Sequence, residues 1–138
     1  MFLWPGYCPT HVKIQPEDVQ AQKKKYPDAV VLVHPECRPE TREVADEVLS
    51  TGGMIRFARE SAVKTIIIAT ETGILHRLGK ENPAKKFIAA SNKAVCPNMK
   101  KITLEKVLWA LEEMKPEVKV SEELRVRAIG AVERMINL

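Results

Sequence analysis

Three short apolar runs, separated by segments with helical signals, recur through the first two thirds of the chain. They are Ala29–Val33, Thr65–Ala69 and Phe87–Ala90. The first two are rich in β-branched residues and do not alternate with polar ones, which is typical of parallel strands covered on both faces. Strands that alternate with helices form right-handed βαβ units. The sequence therefore predicts an α/β fold with a short parallel sheet between helical layers.

Helical segments are predicted from proline and capping signals and from apolar residues at helical spacing. Val44, Ala45, Val48 and Leu49 give the segment after Pro39 such a pattern. The predicted helices are 16–25, a second from Pro39 through Leu49, a third from Met54 to about Ser61, one ending near Leu78, and two in the tail at 103–114 and 121–136.

Charge and hydropathy exclude several classes of protein. The chain has 138 residues with a net charge of +4, from 22 basic and 18 acidic residues spread over several segments. So mild an excess indicates a solvated surface rather than a nucleic-acid patch. No apolar run approaches the ~20 residues that span a bilayer, and the start lacks a secretion signal. We expect a cytoplasmic protein with neither a membrane nor a nucleic-acid partner.

The cysteines also limit the kind of site. Cys8, Cys37 and Cys96 are an odd number, widely spaced, and form no CxxC pair. A disulfide framework and a self-contained zinc ribbon are therefore not expected. If these thiols bind a metal, the fold must bring distant residues together or take a ligand from elsewhere.

The polar residues that follow the predicted strands are the candidate site, because ligands bind beyond the carboxyl ends of parallel strands. Those ends are His34–Cys37, Thr70–Gly73 and Ser91–Cys96. A further dense motif, Trp4–His11, stands almost at the start of the chain and looks like the end of a preceding domain. We expect three parts: 1–14 ending a preceding domain, 15–100 forming the α/β domain, and 101–138 forming a helical tail.

Five motifs, in this order, resemble the quinolinate synthase family. They are Trp4-Pro5-Gly6-Tyr7-Cys8-Pro9-Thr10-His11, the HPEC motif His34-Pro35-Glu36-Cys37, the turn Ser50-Thr51-Gly52, Ala69-Thr70-Glu71 with Gly73-Ile74-Leu75, and Cys96-Pro97-Asn98-Met99-Lys100. Order and spacing agree across essentially the whole chain.

The resemblance implies a fold and a cofactor. Family members contain three three-layer αβα domains around a pseudo-threefold axis, and each domain gives one cysteine to a [4Fe–4S] cluster with one open iron. By resemblance, Cys8 and Cys96 are two cluster ligands, and the third cysteine lies outside this chain. Cys37 is not a ligand in the family pattern. We assign it to packing or local redox sensitivity.

The resemblance also implies an activity, the condensation of iminoaspartate with dihydroxyacetone phosphate to quinolinate in de novo NAD biosynthesis. His11, His34 and Glu36 are then the expected catalytic residues. His34, Glu36, Ser50 and Thr51 are the expected substrate-binding residues. A carboxylate near a histidine is expected to tune its proton affinity toward neutrality. Glu71 is expected in a supporting role, and His76 matches no motif.

Partners follow from the same resemblance. The amino-terminal portion of the enzyme is expected as part of the same protein or as a separate chain. Aspartate oxidase or aspartate dehydrogenase is the expected upstream supplier, and exposed apolar stripes on the tail helices would favour a homo-oligomer. The chain alone is expected neither to hold a stable cluster nor to make quinolinate.

Two alternatives from other classes stay open. One is a non-catalytic α/β domain that binds an anion at Thr51. The other is an interaction module that holds zinc through Cys8, His11 and Cys96.

Overall fold

A computed structural model of the chain describes residues 5–137. The chain divides after Asn98 into two compact units. The first holds four strands and four α-helices, and the second holds two α-helices. In chain order these are α1 (Pro16–Lys25), β1 (Val30–Val33), α2 (Pro39–Glu43), β2 (Glu47–Val48), α3 (Thr51–Glu60), β3 (Thr65–Ala69), α4 (Ile74–Glu81), β4 (Lys86–Ala89), α5 (Leu104–Glu113) and α6 (Glu122–Ile136).

The strands form one parallel sheet in the order β2-β1-β3-β4. In register, Val33 at the end of β1 pairs with Val48 of β2 and with Ala69 of β3. The carboxyl ends of these three strands therefore lie at one edge of the sheet. The predicted α/β class and parallel sheet are confirmed.

Helices cover both faces of the sheet, which explains why the central strands β1 and β3 are almost entirely apolar. On one face, Val31, Val33, Ile67 and Ala69 pack with Val19 of α1. On the other face, the strand residues pack with residues of α3 and α4: Leu32, Ile66 and Ile68 from the strands, and Met54, Ala58 and Leu78 from the helices. Successive strand residues point to opposite faces, so a strand buried on both sides needs apolar residues at every position.

The predicted helix from Pro39 through Leu49 is wrong beyond Glu43. Helix α2 ends there, and Glu47–Val48 forms the edge strand β2. Asp46 joins this segment to β1 twice, because its backbone N–H donates to the oxygen of Val31 at 3.0 Å and its carboxylate accepts from the N–H of Val31 at 2.7 Å. These bonds satisfy backbone groups of β1 on the side that faces β2. Helical spacing of apolar residues in the sequence gives no sign of such a long-range stabilisation.

Helix α3 begins earlier than predicted, at Thr51 instead of Met54. The hydroxyl of Ser50 accepts a hydrogen bond from the N–H of Gly53 at 3.2 Å, which caps the first turn. Gly53 is tightly enclosed there, since a Cβ would lie 3.2 Å from the Cβ of Leu49. The turn that the sequence suggests at 50–53 is thus the start of a helix.

The second unit contains α5 and α6. Thr103 caps α5 by accepting from the N–H of Lys106, and two acidic residues stand in the first turn of α6, where they suit the helix dipole. Both helices lie within one residue of their predicted bounds. The division at residues 14 and 100 stays a prediction. Among residues 5–137, no helix has the length and apolar character needed to cross a bilayer.

Candidate functional site

The site lies where the chain reverses its path through the sheet. The connection from β1 to β2 runs outward through α2, and the next one returns across β1 through α3 to β3. Val44 and Ala45, just after α2, pack on one face of the sheet, whereas Met54 and Ala58 of α3 pack on the other. Crossovers on opposite faces leave a crevice between β1 and β3 beyond their carboxyl ends. His34 follows β1 and Thr70 follows β3.

The segment Cys8–Ile14 is fixed onto this edge of the sheet. It forms a short 3₁₀ turn, in which the N–H of Ile14 donates to the oxygen of His11 at 3.1 Å and the N–H of Val12 donates to the oxygen of Cys8 at 3.2 Å. The side chain of Ile14 is fully buried, and its carbonyl accepts from the hydroxyl of Thr41 at 2.9 Å. This anchor places Cys8 and His11 above the crevice.

His11 is buried among three polar side chains. Its Nε2 forms a hydrogen bond of 2.8 Å with the hydroxyl of Thr70. Its ring stacks on that of His34 with centroids 4.3 Å apart and planes inclined by 12°. Its Nδ1 is buried and lies 3.1 Å from Oε2 of Glu36.

Glu36 joins the two histidines and faces solvent. Its Oε2 lies 3.6 Å from Nδ1 of His34, and its backbone N–H donates to that nitrogen at 3.3 Å. The side chain is 56% exposed, so a ligand can reach the carboxylate. Glu36 also lines a cavity of about 400 Å³ together with neighbours from the two adjoining loops: Tyr7, Val12, Cys37, Arg38 and Pro39.

Burial controls the protonation of both histidines. Desolvation lowers the pKa of His11, and the adjacent His34 lowers it further, while Glu36 and Glu71 oppose the shift. Desolvation also lowers the pKa of His34 against the opposing pull of Glu36. Glu36 raises the proton affinity of both rings, but burial is the larger effect, so the pKa of each histidine lies below its usual value. Both rings are neutral at pH 7.

The three cysteines occupy different environments. Cys8 and Cys96 are half-buried in loops and are in the thiol form. Cys37 is buried in the core, its thiol lies 3.6 Å from the oxygen of Ala69, and burial raises its pKa to about 11. A buried, neutral thiol is a poor metal ligand, and the two half-buried thiols are more accessible.

One group of possible metal ligands is found among the described residues. It consists of Cys8, His11 and Glu36, whose ligand atoms all lie within 4.8 Å of one another. Cys96 is outside this group. It is connected to the same edge of the sheet through Glu71, whose carboxylate accepts from the N–H of Cys96 at 3.3 Å and from the N–H of Gly73 at 2.7 Å.

Ser50 and Thr51 lie at the amino-terminal end of α3, directly beyond β2. Because β2 pairs in parallel with β1, they stand at the same edge of the sheet as His34. The hydroxyl of Ser50 is engaged as the helix cap, and Thr51 is exposed at the first helical position. Trp4, the first residue of its motif, lies outside the described residues.

Thr70 is the contact residue that sequence reasoning did not assign. It is 5% exposed and forms the hydrogen bond that fixes the ring of His11. Its position in the sequence could have identified it, because it is the first polar residue after a buried strand and so lies at the carboxyl edge of the sheet.

Comparisons with known proteins now bear on this site. Residues 1–137 match the family described as Quinolinate synthetase A protein. Curated relatives named quinolinate synthase include one from Dehalococcoides mccartyi, 57% identical over 98% of this chain and 45% of its own length. Another, from Thermodesulfovibrio yellowstonii, is 53% identical over 100% of this chain and 46% of its own length. A third, from Methanosarcina barkeri, is 49% identical over 96% of this chain and 44% of its own length.

The chain thus spans about half the length of the curated relatives it matches. The resemblance to the quinolinate synthase family that the five motifs indicate is confirmed. Because the match covers nearly every residue, the chain belongs to the quinolinate synthase family.

Proposed function

We propose that this chain forms part of the active site of a quinolinate synthase, which condenses iminoaspartate with dihydroxyacetone phosphate in NAD biosynthesis. The observation that carries the proposal is the convergence of His11, His34 and Glu36 beside Cys8, at the point where the sheet reverses. The relatives are named quinolinate synthase, and the convergence of these acid–base groups supports such an activity.

The two histidines and Glu36 are suited to move protons. Condensation followed by loss of water needs groups that accept and return protons near neutral pH. Burial keeps both imidazoles neutral, so each has a lone pair that can accept a proton. The exposed carboxylate of Glu36 stabilises the imidazolium that then forms. The hydroxyl of Thr70 holds the ring of His11 in place during this exchange.

The amino-terminal end of α3 is proposed to bind a substrate carboxylate or phosphate. N–H groups in the first turn of a helix, together with its dipole, attract anions. Thr51 is exposed at this turn, and Ser50 caps it. Both residues stand at the sheet edge that carries His34, which would orient an anionic substrate toward the histidines.

Cys8 and Cys96 are proposed to be the two cluster ligands that this chain provides. Both thiols are half-buried and lie in loops, in keeping with a cofactor shared between parts of a larger protein. When bound, a [4Fe–4S] cluster with one iron lacking a cysteine supplies a Lewis acid. The third cysteine would come from the amino-terminal region, so the chain alone would neither keep a cluster nor make quinolinate.

A chimera tests the proposal. In it, the amino-terminal part of the Dehalococcoides mccartyi quinolinate synthase precedes this chain in one polypeptide, which is prepared without oxygen and supplied with both substrates. We expect quinolinate, bound iron and sulfide, with all three lost in Cys8→Ser and in Cys96→Ser. His76→Asn, an exposed histidine of α4, is the control that should change nothing. A folded chimera that binds iron and sulfide but makes no quinolinate would refute the activity.

A further inference from the structure

Cys8, His11 and Glu36 meet the distance requirement of a zinc site with little movement. Their ligand atoms lie within 4.8 Å of one another. Zinc bond lengths of about 2.0–2.3 Å place two ligands of one tetrahedral ion roughly 3.3–3.8 Å apart. A shift of roughly 1 Å closes that gap. Cys8 is half-buried and the side chain of Glu36 is 56% exposed, so both can make this shift without disturbing the core.

The ring of His11 is already held as a metal-bound imidazole is held. In protein metal sites, a histidine ligand usually donates its second ring N–H to an oxygen, which fixes both tautomer and orientation. Here Nε2 bonds to the buried hydroxyl of Thr70 at 2.8 Å. Nδ1 is buried beside Oε2 of Glu36, 3.1 Å away, and His11 belongs with Glu36 and Cys8 to the three-ligand group. With Nε2 held by Thr70, Nδ1 is the nitrogen left to bind a metal ion.

Charge and donor type select the ion. A thiolate and a carboxylate neutralise both charges of a divalent cation, and the imidazole adds a neutral donor. A mixed set of sulfur, nitrogen and oxygen ligands suits zinc rather than magnesium or calcium, which prefer oxygen alone. Because Glu36 lies on the solvent side of the group, a water molecule can take the fourth coordination position of the ion.

From these observations we infer that Cys8, His11 and Glu36 bind a single zinc ion when no cluster occupies Cys8. This inference goes beyond the proposed synthase activity. Because both metal centres use Cys8, zinc and the cluster exclude each other. The inferred set differs from a zinc site of Cys8, His11 and Cys96, since Cys96 lies outside the group of converging ligands.

The test is a zinc titration of the purified, metal-free 138-residue chain, under reducing conditions and against a chromophoric zinc indicator. We expect one zinc ion per chain. Affinity should fall by more than about 100-fold in Cys8→Ser and His11→Asn, and by at least about 10-fold in Glu36→Gln. Thr70→Val, which removes the support of the ring, should lower affinity by about 10–100-fold. Cys96→Ser and His76→Asn are the matched controls and should stay within about twofold of the parent chain.

Two results would overturn the inference. In the first, the parent chain binds no more zinc than Cys8→Ser does. In the second, Cys96→Ser loses as much zinc affinity as Cys8→Ser, whereas Glu36→Gln loses none. A titration of the unmodified chain with Co²⁺ tests the inference even if one of the variants does not fold. The unmodified chain with Co²⁺ should show cobalt–thiolate absorption and the ligand-field bands of tetrahedral coordination. Absence of that thiolate absorption from the folded parent chain overturns the inference equally.

Discussion

Nε2 of His11 and the hydroxyl oxygen of Thr70 lie 2.8 Å apart although 59 residues separate them in the sequence. The bond joins the amino-terminal 3₁₀ turn to the end of β3. Glu36, which follows β1, approaches the other nitrogen of the same ring. One imidazole thus connects three segments that meet only in the folded chain.

Replacing Thr70 tests this connection. Thr70→Val keeps the shape of the side chain but leaves Nε2 of His11 buried without its partner. An unsatisfied buried polar group costs about 1–3 kcal/mol, so the free energy of unfolding should fall by about that amount in urea titrations. Thr70→Ser retains the hydroxyl and should lose much less. Equal stability of Thr70→Val and the parent chain would show that the bond contributes nothing.

Glu71 is expected to hold the Cys96 loop against the start of α4. Its carboxylate accepts from the N–H groups of Gly73 and Cys96. Glu71→Gln replaces one acceptor oxygen by an NH₂ group, which cannot accept, so the variant should lose about 1–3 kcal/mol of stability. Amide hydrogen exchange should become faster at Gly73 and Cys96. Glu60→Gln, at an exposed surface pair, is the control, and a similar small loss in both variants would contradict this role.

The thiol of Cys37 is expected to resist alkylation. It is buried, and its pKa is raised to about 11. Since only the thiolate reacts, roughly one molecule in a thousand is reactive at pH 8, and that fraction rises about tenfold per pH unit until the pKa is reached. Mass spectrometry after iodoacetamide treatment should find Cys8 and Cys96 modified well before Cys37. In urea the three rates should converge. Prompt modification of Cys37 in the folded chain at pH 8 would show that it is not in the core.

Asp46 should decide whether β2 forms. Its carboxylate accepts from the N–H of Val31 at the outer edge of the sheet. Asp46→Ala leaves that N–H without its acceptor, and we expect a loss of about 1–2 kcal/mol with faster amide exchange at Val31. Asp46→Asn keeps an acceptor oxygen and should lie closer to the parent chain. Unchanged exchange at Val31 in Asp46→Ala would contradict this.

The sequence predicts most of this fold because its central strands, β1 and β3, are buried on both faces and so consist of nearly continuous apolar runs. β3 was predicted with its observed bounds, and α1 likewise. β2 was missed because a strand of two residues is too short to show a pattern of alternating or apolar residues. The hydrogen bonds that support it join Asp46 to Val31, 15 positions earlier in the chain.

The candidate site, too, could be predicted only in part from the sequence. The family motifs name His11, His34 and Glu36, but sequence alone does not indicate how closely they approach one another. The bond of Thr70 and the lowered pKa of each histidine depend on burial, which arises only in the folded chain. Ligand convergence is likewise a property of the fold, so the exclusion of Cys96 from the group around Cys8 could not be read from spacing.

The most direct test of the proposed site is quinolinate formation by the chimera with Glu36→Gln, compared with Glu40→Gln. Both substitutions remove one carboxylate near the same loop, but only Glu36 contacts the histidines. We predict that kcat falls by about 10²–10⁴-fold in Glu36→Gln, as expected for loss of a group that serves proton transfer, and stays within about twofold in Glu40→Gln. Iron content should be equal in both. Parent-level quinolinate formation by Glu36→Gln would contradict the assignment of this cluster as the catalytic site.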